Sequence, residues 1–401
     1  MAAMARPGPP YTGPVRQAQL SAPLRAARHS GIREISGLAG ATPGAIRLEV
    51  GQPDHLTPPH IVEAAKRALD GGWHGYTPTA GLASLRERLA DKLARVNDVA
   101  VTPEQVVCAA GGSGAISAAV LSICDRGDEV LLPDPSWPNY RLLLAVSQTT
   151  PVRYPCPAAL GFLPDLDRLE SLVGPRTRVL VVNSPNNPTG QVYPPEVLRR
   201  LGEIADRHDL WIVSDECYDQ IVMDGSPVAP GMSRHADTDR VIACFTMSKT
   251  YAMTGWRLGY AAAPEDAADT MIKAIEGTTS CVSTISQKAG EAALDGPQDC
   301  VADMVASYRR RRDLVVDLLR EAKLLTVVPE GAFYIMADVS ATGIGSYQFA
   351  RRLLAERLVA VAPGTAFGEV AADAVRISLA SSDEDLREGV GRLCELAAEL
   401  Q

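Results

Sequence analysis

No stretch of the chain approaches the roughly 18 to 20 apolar residues that a bilayer-spanning helix needs, so a membrane protein is not expected. Residues 1–14 are rich in Pro, Gly and Ala, with no apolar segment of signal-peptide length behind their charges. They read as a flexible arm, and a cytoplasmic location is the expectation. A basic surplus is missing as well: the formal net charge is -9. That removes the electrostatic footprint of a nucleic-acid binder and fits a solvated acidic surface. The eight cysteines form no CxxC pair, and the six histidines are equally dispersed. A metal site is therefore not expected, and buried free thiols suit the apolar runs around several cysteines better than disulfides do. Internal repeats and low-complexity linkers are also absent.

What is present is ordinary globular composition, 46% hydrophobic and 22% charged over 401 residues, with length for two or three domains. Ser30 to Ala39 reads as a weak helix, and the arginines around it (Arg16, Arg25, Arg28, Arg33) as a solvated face. Ile46 to Val50 alternates like a strand and ends at Gly51. Pro59 opens a helix to Leu69, and a second helix is expected from Leu82 to Val96. From Gln105 the rhythm is strand, turn, helix, repeated. Strand candidates are Gln105–Ala109, Glu129–Leu132, Arg178–Val182, Leu210–Val213, Val241–Phe245 and Leu258–Ala262, with amphipathic helices such as Pro195–Arg207 between several of them. Continuous apolar strands alternating with helices predict a mostly parallel central sheet covered by helices on both faces. Ligands of such sheets gather at the carboxyl ends of the strands. From about Asp299 the texture changes to α+β: a long helix Val301–Ala322, short strands at Leu324–Val328, Ala332–Met336 and Ala374–Leu379, and helices Tyr347–Glu356 and Asp383–Leu400. Arg309 to Arg312 point around the long helix and read as a solvated stretch.

Chemistry concentrates just past the strand ends. In Thr246-Met247-Ser248-Lys249, continuing to Gly255-Trp256-Arg257, a lysine follows a strand, is flanked by hydroxyls, and precedes a cation by eight residues. This suits a Schiff-base amine beside a phosphate; a surface lysine in a loop is the plainer reading. Ala110-Gly111-Gly112-Ser113-Gly114 joins a strand to a helix, where glycines let backbone approach an anion and the helix start presents free N–H groups. It half-matches a dinucleotide fingerprint, but no acidic residue ends a second strand at the required spacing. Trp137, in a Pro-flanked turn, is either core or a stacking surface for a flat ring. Asn183 to Gly190 is ordinary turn chemistry. Asp215 ends an apolar strand, where an unpaired carboxylate would be costly and a pyridinium N–H would be a suitable partner. Arg376 lies inside an apolar strand and needs an anion, whether an internal carboxylate or a ligand. Gly51 is either a plain strand-to-helix turn or part of a site, and Tyr76 reads as a half-buried loop tyrosine.

Taken together, the strings at 183–190, 211–218, 246–257 and 376–380 resemble those of class I/II aminotransferases, the fold-type I enzymes of pyridoxal phosphate (PLP). The resemblance runs from about Gly51 to Arg376 in family order. It implies an α/β fold-type I PLP transferase with a smaller α+β domain. The expected divisions are 1–54 (arm and part of the small domain), 55–295 (large PLP-binding domain) and 296–401 (C-terminal small domain). It implies Lys249 as the catalytic amine that holds the cofactor, with Gly112, Ser113, Thr246, Ser248 and Arg257 around the phosphate. Trp137 would stack on the ring and Asp215 pair its nitrogen. Asn187 and Tyr218 would share its phenolic oxygen, and Tyr76 would reach the phosphate of the neighbouring site across a homodimer interface. Gly51, Asn187 and Arg376 would receive the substrate carboxylate. The implied reaction moves an amino group between an L-amino acid and a 2-oxo acid in ping-pong fashion. A PLP-dependent lyase running β-elimination is the alternative, because the cofactor supplies the electron sink and the protein selects the bond. Some aspartate-using relatives carry a lysine where Ser113 stands, so a dicarboxylate preference would need another cation. A PLP-sensing regulator would need a DNA-binding module for which the short arm leaves no room, and a nicotinamide dehydrogenase has no use for the lysine string.

Overall fold

The computed structural model describes residues 20–27, 30–236 and 238–401; the expected arm at 1–14, with Arg16 and Arg28, lies outside them. In chain order the strands are β1 (Ile46–Arg47), β2 (Val106–Ala109), β3 (Glu129–Asp134), β4 (Thr150–Pro155), β5 (Thr177–Asn183), β6 (Trp211–Asp215), β7 (Val241–Thr246), β8 (Gly259–Ala262), β9 (Tyr334–Asp338), β10 (Val359–Ala360), β11 (Ala362–Pro363) and β12 (Ala374–Ser378). Seven of them form one sheet in the order β2-β8-β7-β6-β5-β3-β4. All neighbours are parallel except β8, which runs against β2 and β7.

The continuous apolar strands follow from burial on two faces. In β5, Val179 and Val181 pack with the Gly111–Ile123 and Glu265–Thr278 helices, while Leu180 and Val182 pack with Pro195–Arg207. In β7, Ile242 and Cys244 join the first core; Ala243 and Phe245 join a third core with Leu85, Leu89 and Ala289. Each such aliphatic side chain contributes roughly 1.5–3 kcal/mol of burial, so a polar residue inside these strands would be expensive on either face.

A second, antiparallel sheet has the order β11-β12-β9, and β1 pairs with β10 in parallel. Its core joins Ile35 and Leu48 to Val316, Leu353, Ile377 and Leu393 from the C-terminal third, and to Tyr218 and Ile221 from the end of β6. No helix among the described residues is long and apolar enough to cross a membrane. All eight cysteines are free.

Several local expectations change. Leu324–Val328 is not a strand: it makes a single bridge, Leu325 to Ala337, and runs into Pro329, which has no N–H to extend a ladder. β4 has no counterpart among the expected strands. Pro151, Arg153 and Pro155 disguise it, and it tolerates them as the last strand of the sheet. The arginine run is not uniformly solvated. Arg311 is buried, donating to both carboxylate oxygens of Asp54 (3.0 and 2.8 Å), to Asp383 (3.1 Å) and to the Leu379 carbonyl. Successive helix positions turn by about 100°, so Arg311 shares the inward face of Ser307, Tyr308 and Val315.

Candidate active site

Five parallel strands end at one edge of the large sheet, and their following turns carry the residues singled out above. The Gly111–Ile123 helix starts after β2, Trp137 follows β3, Asn187 follows β5, Tyr218 follows β6 and Lys249 follows β7. Because β8 runs the other way, its start brings Arg257 to the same edge. These turns and the small sheet enclose a cavity of about 370 Å³. Gly51, Gly112, Ser113, Trp137, Asn187, Asp215, Tyr218, Thr246, Ser248, Lys249, Arg257 and Arg376 all line it. Tyr76 does not; it is 93% exposed.

One end of the cavity is built for an anion. Gly111 has φ +76°, and a Cβ there would lie 2.4 Å from the Arg257 guanidinium. Without it, Arg257 settles over the helix start, donating to the Ala110 carbonyl (3.2 Å) and the Thr254 carbonyl (2.9 Å). A Cβ on Gly112 would meet Cys217 Sγ at 2.7 Å, so glycine keeps that backbone close to the cavity. Free N–H groups, the Thr246 and Ser248 hydroxyls (2.9 Å apart) and a guanidinium thus converge.

Under the sheet edge, Asp215 accepts from Tyr140 Oη (2.5 Å) and from the Cys217 N–H (3.2 Å). Burial pushes its pKa up despite those bonds, which marks a carboxylate short of a cation. Lys249 Nζ donates to the Gly51 carbonyl at 2.8 Å. Burial, reinforced by the positive charges of Arg376 and Arg257, lowers its pKa to about 8 against the opposing pull of Cys217 and Asp215.

Arg376 is buried, at 2% exposure. Its Nη1 donates to Asn187 Oδ1 (3.1 Å) and its Nη2 to the Glu49 carbonyl (2.6 Å), while Nε has no partner. No carboxylate bonds it directly, so the internal-anion alternative fails and a donor remains for a ligand. Burial lowers its pKa, as expected of a cation without a direct counter-ion. Asn187 presents its oxygen to Arg376, which leaves its Nδ2 donor available.

The lining residues that were not expected include Tyr334, Glu49, Cys217 and Arg33. Tyr334 lies under Arg376, ring centroid to Cζ 4.3 Å, with its hydroxyl 2.9 Å from that of Tyr218. Glu49 is fully buried with Oε2 unpartnered and Oε1 held by Ser36 and Arg47. Cys217 borders the cavity, and Arg33 stands at it with no side-chain hydrogen bond or ion pair among the described residues. Tyr334 follows a Gly-Ala-Phe turn with no chemical signature of its own, and Arg33 sits in what reads as a solvated helix.

The site therefore offers an anion cradle, a flat indole, a buried carboxylate, a depressed lysine and a carboxylate fork, in one cavity sized for a small cofactor and its substrate. That set fits pyridoxal phosphate, whose phosphate, ring, ring nitrogen and aldehyde each find a matching group. Comparison with known proteins agrees. Residues 43–393 match the family model described as aminotransferase class I and II, and the chain belongs to that family. It is a PLP-dependent aminotransferase of fold type I. It is 39% identical to a probable aspartate aminotransferase of Methanocaldococcus jannaschii, covering 92% of this chain and 96% of that one. To an aromatic-amino-acid aminotransferase of Thermococcus litoralis it is 38% identical, over 93% and 97%. The solved aspartate aminotransferase of Thermus thermophilus with maleate superposes with a TM-score of 0.89 at 37% identity, covering 95% of this chain and all of that one. These relatives are transaminases, which disfavours the lyase alternative.

Proposed function

We propose that this aminotransferase works on an acidic L-amino acid and a 2-oxo acid in two ping-pong half-reactions, with Lys249 as the proton carrier. The carrying observation is the half-buried lysine, depressed to about 8, in one cavity with an incompletely satisfied Arg376. When bound, pyridoxal phosphate supplies the electron sink and carries the amino group. Gly112 and Ser113 would hold its phosphate with Thr246, Ser248 and Arg257; Trp137 would serve its ring, Asp215 its ring nitrogen, and Asn187 and Tyr218 its phenolic oxygen. Arg376 receives the substrate α-carboxylate through its open donor, beside Asn187 and Gly51. Lys249 Nζ takes the α-proton and later returns one, a role that favours a pKa near working pH.

Arg33 supports the acidic substrate. Ser113 offers no cation, and Lys249, Arg257 and Arg376 are engaged elsewhere, so Arg33 is the lining cation left for a second carboxylate. The names of relatives that use aspartate agree with this reading. Arg33→Ala should raise KM for aspartate about tenfold, equivalent to about 1.4 kcal/mol, and leave KM for phenylalanine nearly unchanged. Equal effects on both substrates would move the preference to neutral or aromatic amino acids.

A homodimer with shared sites is part of the proposal. Leu56, Trp73 and Tyr76 are exposed along one segment. Its 75–77 turn is tied to the Thr284–Asp295 helix through Thr284 to the Gly75 carbonyl (2.7 Å) and Gln287 to Thr77 (2.9 Å). That presents Tyr76 outward, as a residue meant for a partner's cavity would be. We assign 55–295 to a large PLP-binding domain, and 1–54 with 296–401 to the arm and small domain. The shared core of Ile35 and Leu48 with the C-terminal third supports this. Eight free thiols suit a reducing, cytoplasmic setting.

A further inference from the structure

Tyr218 and Tyr334 come from elements 116 residues apart, yet their hydroxyls meet at 2.9 Å. Neither hydroxyl has another hydrogen-bond partner among the described residues. Both rings are buried, at 5% and 1% exposure, and meet edge to face at 5.8 Å. The Arg376 guanidinium lies 4.3 Å above the Tyr334 ring. Gly51, whose carbonyl receives Lys249, has no side chain to keep the Tyr334 hydroxyl away; a Cβ there would sit 2.9 Å from it. Tyr334 therefore meets three parts of the site: the Tyr218 phenol, the Arg376 guanidinium, and the Gly51 backbone on which the lysine rests.

A pair of hydroxyls shares one hydrogen bond, so one donates and the other accepts. If Tyr218 donated to Tyr334, it would have no hydrogen left for the cavity. Burial raises both phenols, and the Arg376 charge stacked on Tyr334 opposes the rise there. The role proposed for Tyr218 needs that hydrogen in the cavity, which makes Tyr334 the donor of the shared bond.

We infer that Tyr334 is a positioning residue: its hydroxyl donates to Tyr218 Oη and so directs the Tyr218 proton to the cofactor's phenolic oxygen, while its ring seats Arg376 for the substrate carboxylate. The inference rests on the roles proposed above for Tyr218 and Arg376. It makes the two halves of Tyr334 separable, the hydroxyl acting on the cofactor and the ring on the substrate.

The test compares Tyr334→Phe, Tyr218→Phe, the double variant and Tyr334→Leu as holoenzymes, after thermal unfolding shows them folded. The readouts are the pH midpoint of the bound cofactor's absorption, kcat and KM. Tyr334→Phe should move the midpoint to higher pH, in the direction of Tyr218→Phe. It should lower kcat by about three- to tenfold, the size of one net hydrogen bond, with KM within about twofold. The double variant should go no further than Tyr218→Phe alone, because the hydroxyl acts through Tyr218. Tyr334→Leu should also raise KM, by about fivefold for loss of a buried cation–π contact. A Tyr218→Phe shift with no Tyr334→Phe shift, or additive effects in the double variant, would overturn the inference and leave the site assignment standing. No shift in Tyr218→Phe would remove the proposed role of Tyr218 and the inference with it.

Discussion

At the scale of single residues, Lys249 carries the account, and its depressed pKa gives it a measurable signature. Burial penalises the ammonium form, so the folded protein releases that proton at about 8 rather than the ordinary 10.5. The penalty is present in full below pH 8 and is relieved as pH rises from 8 toward 10.5, so this group makes the cofactor-free protein more stable across that window. We predict that Lys249 in cofactor-free protein reacts with trinitrobenzenesulfonate with a midpoint near pH 8, followed by mass spectrometry of its peptide. A midpoint near 10.5 would mean that the amine is solvated. Lys249, Asp215 and Arg376 were legible in the sequence because each places a charge at or inside an apolar strand, where burial forces it to have a purpose. Tyr334 and Arg33 were not. Nothing local distinguishes them from core and surface, and their meaning comes from a cavity assembled from distant parts of the chain.

At the scale of elements, the strands of the large sheet read clearly because both faces are buried and the apolar runs are unbroken. The edge strand β4 was hidden by its prolines, and Leu324–Val328 looked like a strand because β-branched residues alone do not supply a pairing partner. The Asp299–Glu321 helix shows how a charge run misleads. One arginine in four turns inward and ties Asp54 to Asp383 at the start of the last helix. Hydrogen bonds from Arg310, then Arg311, lower the pKa of Asp383 to about 2. A depressed carboxylate stabilises the fold above its ordinary pKa of 3.8 and loses that contribution as pH falls toward 2. Asp383→Asn should therefore lower Tm at pH 7 and flatten the loss of Tm between pH 4 and 2. An unchanged acid limb would show that solvent screens the pair.

At the scale of the whole molecule, one chain brings every proposed site residue except Tyr76 to a single cavity. If Tyr76 completes the partner's site, two inactive variants should rescue each other. Mixed Lys249→Ala and Tyr76→Ala protomers contain, in each hybrid dimer, one site with both Lys249 and an incoming Tyr76. Activity should rise on mixing toward that of one wild-type site per hybrid; mixtures no more active than their parents would place Tyr76 outside the partner's chemistry.

The most direct test of the central claim is the absorption spectrum of the purified protein with PLP, before and after adding L-aspartate alone, without an oxo acid. We predict that the bound pyridoxal spectrum converts to that of pyridoxamine phosphate with one equivalent of 2-oxo acid released, and that Lys249→Ala abolishes catalytic transfer. A spectrum unchanged by every L-amino acid, or full turnover by Lys249→Ala, would contradict the assignment of Lys249 as the amine on which the site is built.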